Sequence, residues 1–264
     1  MHGPGEPTFD AVVADLTRIV DDCRARGSAL GVFPAMYRTV TTTVGEGIEA
    51  GVFDDPDRVE RLVAVFAQLY IDAFDAHASA DPDRPAPAAW DLAFRFAERG
   101  RGSLCQHLLL GMNAHINLDL GIATAAVSTP VDLPALRPDF VRVNDVLFAL
   151  LDALQAGLGD VSPWMARLDR LGLGFDELCL RAGIALARTQ AWEFAESLTA
   201  RPVQHRMELV AVRALGLVLC HRFSALHLAN RVVSWRESRD PARVIEVLGG
   251  ARIDVRTLAT GPVG

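Results

Sequence analysis

Apolar residues recur along most of this chain at the three- and four-residue spacing of amphipathic helices. Phe9, Val12, Val13, Leu16 and Val20 share one face of a segment that runs to Arg26, where Gly27 ends it. A second helix is predicted from Phe33 to Ala50, although the β-branched run Thr39–Thr43 is a poor helix former. Asp55-Pro56-Asp57 is a helix start, with proline in the first turn and acids at the positive end of the dipole. The helix it opens reaches about His77, with Leu62, Phe66, Leu69, Tyr70, Ala73 and Phe74 as its stripe.

Further on, the Pro-rich loop DPDRPAPAAW precedes a short predicted helix from Trp90 to Arg99, closed by Gly100 and Gly102. The run VSTPVDLPALRPDF, from Val127 to Phe140, reads as a second Pro-rich connection, leading into a helix from Phe140 to Leu158. Helical spacing returns over Phe175 to Leu198, His205 to Arg231 and Pro241 to Gly249. No strands alternate with these helices and no repeat stands out. The expected fold is all-α, a single bundle of about eight helices over residues 9–250. Residues 1–8 are expected to be a flexible leader and 251–264 a poorly structured tail.

One segment breaks the amphipathic rule. Leu104 to Ile122 reads LCQHLLLGMNAHINLDLGI, apolar enough to be buried on every side, yet it carries Gln106, His107, Asn113, His115, Asn117 and Asp119. A buried polar group costs about 1–3 kcal/mol unless it finds a partner. Six in one core helix point to a site. At about 100° per residue, Leu104, Leu108, Gly111, His115, Asp119 and Ile122 share one face. His115 and Asp119 stand i, i+4, so their side chains meet. Such a pair can chelate one metal ion; it can equally be a hydrogen-bonded pair that braces neighbouring segments. Gln106, Asn113 and Asn117 gather on a second face, with His107 between the two.

Other candidates lie outside this helix. His77 falls in line with Phe66, Tyr70 and Ala73 and is expected to converge on His115 and Asp119. Arg188 shares a stripe with Arg181 and Trp192, among alanines, so it is expected to face the core and meet a carboxylate, Asp119 or Asp145, or an anionic ligand. Asn144 interrupts an otherwise apolar helix and is added to the same polar interior.

Composition narrows the chemistry. The 264 residues have a net charge of −7, and no basic face is visible, which argues against nucleic acid as a partner. All 26 basic residues are arginine, so lysine Schiff bases and phosphate-loop lysines are excluded. Cys23, Cys105, Cys179 and Cys220 are widely spaced, without a CxxC pair. Apolar runs are cut by charge before the roughly 18 residues of a membrane span. The N-terminal stretch lacks the cationic and apolar regions of a signal peptide, so the expected location is cytoplasmic.

The run LLLGMNAHINLDLG, with YIDAFDAH upstream and ARTQAWEFA downstream, resembles an uncharacterised family of helical proteins found mainly in actinobacteria, over about Phe33 to Thr199. The resemblance implies a site built from His77, Gln106, Asn113, His115, Asn117, Asp119, Asn144, Arg188 and Trp192. More distantly, the HxxxD pair is similar to one in zinc-dependent phospholipase C and the related single-strand nucleases, which are all-helical and hold several zinc ions. This chain lacks their N-terminal tryptophan ligand, and no HxxxH or HxxxE pair follows, so the similarity implies a smaller centre.

Two functional expectations result. In the first, the protein is a metal-dependent hydrolase acting on a small anionic or ester substrate. Its divalent ion, zinc or manganese, would sit on His77, His115 and Asp119, with Arg188 holding the substrate. In the second, it is a metal-free enzyme of specialised metabolism, cyclase- or isomerase-like, or a binding protein for an apolar small molecule. There His115, set by Asp119, acts as the base, and Gln106, His107, Asn113, Asn117, Asn144 and Trp192 contact the ligand.

Overall fold

A computed structural model of the chain describes residues 6–100, 102–158, 175–200 and 240–258. Among them the only regular elements are helices. Helix α1 (Phe9–Ala25) is capped by the Thr8 hydroxyl, which accepts from the Ala11 N–H, and it buries Val12, Leu16, Ile19, Val20 and Cys23. Gly27, at φ +60°, turns the chain into a 3-10 turn (Ala29–Gly31) and then α2 (Val32–Glu49). The threonine run does not break α2. Thr39 Oγ1 donates to the Ala35 and Leu248 carbonyls and Thr43 Oγ1 to the Thr39 carbonyl, so buried hydroxyls replace solvent with backbone partners.

Helix α3 (Pro56–Ser79) starts as its sequence signals, with Asp55 capping the Arg58 N–H and Pro56 in the first turn. Helix α4 (Ala88–Glu98) follows. The polar-bearing run then forms α5 (Leu104–Ala114), a π-helical turn (His115–Asp119) and α6 (Leu120–Ala126) as one continuous rod. Helices α2 and α4 pack on α5, whereas α3 and α8 (Phe175–Ala200) pack on the π-turn and α6. Helix α9 (Pro241–Gly250) closes against α1, α2 and α7 (Leu133–Leu158).

Helix α7 spans Leu133–Leu158, beginning seven residues before the predicted start at Phe140. The prolines there misread as a connection. Pro134 sits in the first turn, where its missing N–H costs nothing. Pro138 is interior, but burial of Leu133, Leu136 and Phe140 offsets the lost bond. Asp139, 1% exposed, adds a tie: its carboxylate accepts the Asp54 and Asp55 N–H groups at 2.8 Å each, fastening the start of α3 to α7. Beyond α9, where little structure was expected, residues 255–257 form a 3-10 turn and Val255 is buried. The predicted helix from His205 to Arg231 lies outside the described residues.

Candidate functional site

Burial of the central rod follows the sequence reading. Asn113 and His115 are each 6% exposed and Asp119 3%. The π-turn joins them to the rest: the Leu120 N–H donates to the His115 carbonyl, five residues back instead of four. One extra residue per turn is a geometry concentrated at functional positions in helices. Here it holds His115 Nδ1 3.7 Å from Asp119 Oδ2.

His115 stands in an aromatic cage. Its ring stacks on Phe66 (3.7 Å between centroids, 10° between planes) and meets Tyr37 edge-on at 4.0 Å and Phe33 at 5.5 Å. Neither ring nitrogen has a hydrogen-bond partner among the described residues. Asp119 is held from the other side, where the Trp90 indole N–H donates to its Oδ2 at 2.8 Å.

Electrostatics makes this pair neutral. Burial pushes the Asp119 carboxyl up to about 8, with the Trp90 hydrogen bond opposing. Burial holds His115 well below the usual histidine range, and the Arg188 guanidinium adds to that. At neutral pH the carboxyl is therefore protonated, the imidazole is neutral with a single N–H, and the pair has no net charge.

Beside His115 lies a cavity of about 200 Å³. Its wall is aliphatic and aromatic, drawn from α2, α3, the central rod, α7, α8 and α9, and among the described residues only Tyr37, Thr41, His115 and Arg188 interrupt it with polar groups. Among the described residues both His115 nitrogens and Arg188 Nε lack a hydrogen-bond partner, whereas the Tyr37 and Thr41 hydroxyls, one turn apart on α2, are close enough to interact with each other. Burial, and then the nearby Asp119 carboxyl, raise the Tyr37 phenol well above its ordinary value, so it stays protonated.

Arg188 is 4% exposed, as its stripe predicted, but its expected partner is corrected. Neither Asp119 nor Asp145 pairs with it. Its Nη2 donates to the Phe140 backbone carbonyl at 2.6 Å, and its guanidinium lies over the Phe140 ring at 4.5 Å.

The remaining predicted residues divide by place. His77 does not join the pair: its Nε2 is 2.9 Å from Glu98 Oε1 and its Nδ1 3.7 Å from Asp91. Gln106 is consumed by a capping box with Ser103 at the start of α5. The Asn117 amide donates to Asn113 Oδ1 at 3.0 Å within the rod. The Trp192 indole donates to Glu196 and its ring packs on Phe140, away from the cavity wall. Asn144 is half-buried on α7, its Oδ1 unpartnered, and is not part of the wall. His107 packs on Phe96 and lines a separate void of about 20 Å³ with Tyr70 and Gly111, where burial lowers its imidazole to about 4.

Among the described residues no three His, Cys, Asp or Glu side chains are grouped to hold a metal ion, and the expected His77–His115–Asp119 set is not assembled. What the sequence reading missed is the cage: Phe33, Tyr37, Thr41, Phe66 and Trp90. Tyr37 and Thr41, i, i+4 within an apolar helix, were the available signal.

Fold and site together define a helical protein with a mainly apolar cavity into which, among the described residues, a few unpartnered polar atoms are presented. The chain belongs to a family of unknown function (DUF5995), whose model matches residues 9–218. No curated protein and no solved structure matches the chain.

Proposed function

We propose that the protein binds a small, mainly apolar molecule in the cavity beside His115, and that His115 hydrogen-bonds its polar end. The observation that carries this reading is a buried imidazole with both nitrogens unpartnered at the wall of an apolar cavity. A neutral imidazole there offers one N–H and one lone pair, the small number of orienting groups that ligand pockets use. Leaving such atoms without partners costs about 1–3 kcal/mol each, a cost that function explains and packing does not. The cavity exceeds the 150 Å³ that accepts benzene, so its occupant has roughly ten non-hydrogen atoms.

Binding is favoured over acid–base catalysis in the free protein. A general base works best with a pKa near the operating pH, whereas burial holds His115 well below its ordinary range. A hydrolytic reading would need a metal and a third ligand beside His115 and Asp119.

A crystal under xenon pressure tests the proposal. Xenon, or density for a co-purified molecule, is expected beside His115. Val143→Phe, which fills the cavity from α7, is expected to remove it without lowering Tm. A cavity that takes up neither overturns the reading. A full equivalent of zinc or manganese in purified protein, with a higher Tm on addition, would replace it with the metal-dependent one.

A further inference from the structure

We infer that the ligand is a small amphiphile carrying one carboxylate, which Arg188 holds; this rests on the cavity being a binding site. Among the described residues Arg188 is the one wall residue charged at neutral pH, because His115 is neutral there. Burial lowers its guanidinium only to about 9, which leaves it cationic. Among the described residues no carboxylate lies within ion-pair distance of it, and its only hydrogen bond goes to an uncharged carbonyl.

A buried cation lacking a counter-charge is unfavourable, and a guanidinium fork matches a carboxylate in shape and charge. Arg188 Nε remains free to donate. The Phe140 carbonyl and ring fix the plane of the group, so little side-chain entropy is lost when an anion docks. Arg188 and His115 line the same cavity, so one head group can engage both. Apart from the Tyr37 and Thr41 hydroxyls, the rest of the described wall, including Met36, Leu62, Leu108, Leu147 and Ile184, offers apolar contact and suits an alkyl chain. A single positive charge calls for a monoanion; a dianion would bring one charge too many into the same dry space.

Calorimetric titration of the delipidated full chain with octanoate and with octan-1-ol, at pH 7, decides the matter. Both are expected to bind, octanoate about tenfold or more tightly, the factor a charge-assisted hydrogen bond brings. Val143→Phe is expected to abolish both, which locates them in the cavity. Arg188→Met is expected to bring the two affinities together while octan-1-ol binding persists. If Arg188→Met does not fold, Arg188→Lys keeps the charge without the fork, and the preference for octanoate is expected to shrink but survive. Equal affinities in the parent protein would overturn the carboxylate and leave the apolar cavity standing. Binding of neither would overturn both.

Discussion

At the scale of single residues, His115 is maintained against its own packing. A phenyl ring in its place would keep the stack on Phe66 and remove two unpartnered nitrogens. His115→Phe is therefore expected to hold or raise stability in urea denaturation, by up to about 1–3 kcal/mol, while ligand affinity falls. A clear loss of stability would show that those nitrogens have partners in the native protein. Asp119 sets a pH dependence of definite sign. Its carboxyl keeps a proton up to about 8 in the fold and releases it near 3.8 in the unfolded chain. Its contribution is therefore whole below about pH 4 and is lost as pH rises towards 8. His107 and His115 act oppositely: they stay neutral in the fold and charge below about 6.5 when unfolded, so their contribution is lost on acidification. Between pH 6.5 and 8 the Asp119 contribution falls by about 1.5 kcal/mol, the unfolded histidines shed the last of their protons and offset part of it, and the net result is a decline of about 1 kcal/mol. Asp119→Asn, which keeps an acceptor for Trp90, is expected to flatten that decline when Tm is followed over this range.

At the scale of elements, close approach is decided at two glycines of the central rod. A Cβ on Gly121 would lie 2.4 Å from the Phe194 ring and 3.0 Å from the Ala191 carbonyl, at the contact of α6 with α8. Overpacking costs about 1–3 kcal/mol and outweighs the roughly 1 kcal/mol that alanine gains in helix propensity. Gly121→Ala is thus expected to lower stability, whereas Gly183→Ala, in open space on α8, is expected to raise it by about 0.5–1 kcal/mol. Matching signs in urea titrations would refute the contact. Gly111 does the same for Phe33, whose ring would stand 2.2 Å from an added Cβ. Element starts were mostly legible because caps are local: the starts expected at Phe9, Pro56, Leu104 and Pro241 each follow a capping residue, Thr8, Asp55, Ser103 and Asp240. The start of α7 was not, because prolines at 134 and 138 carry a breaking signal that only the burial of Leu136 and Phe140 overrides. The π-turn left no trace in the periodicity either, since the helical segments on each side of it are short and apolar on most faces, so a change of phase does not show.

At the scale of the whole molecule, inward orientation was legible and partnership was not. The spacing of apolar positions sufficed to turn His115, Asp119 and Arg188 inward. Their actual neighbours, Trp90 for Asp119, Phe66 for His115 and the Phe140 carbonyl for Arg188, come from other helices, and no periodicity within one helix encodes them. His77 shows the same limit, since it too leaves the stripe of its helix at a point the pattern marks as interior, yet faces the carboxylates of α4. The cavity is likewise a property of the assembly, lined from six helices, none of which shows a gap on its own. It also has a mechanical consequence. A void of about 200 Å³ is volume that the folded protein holds and the unfolded chain surrenders to water. Hydrostatic pressure acts on that difference, favouring the smaller state in proportion to the space eliminated. The empty protein should be a soft body under compression, unfolding at a modest pressure in high-pressure fluorescence. With its ligand in place the same chain should resist to a distinctly higher pressure, and the Val143→Phe protein should resist without any ligand at all.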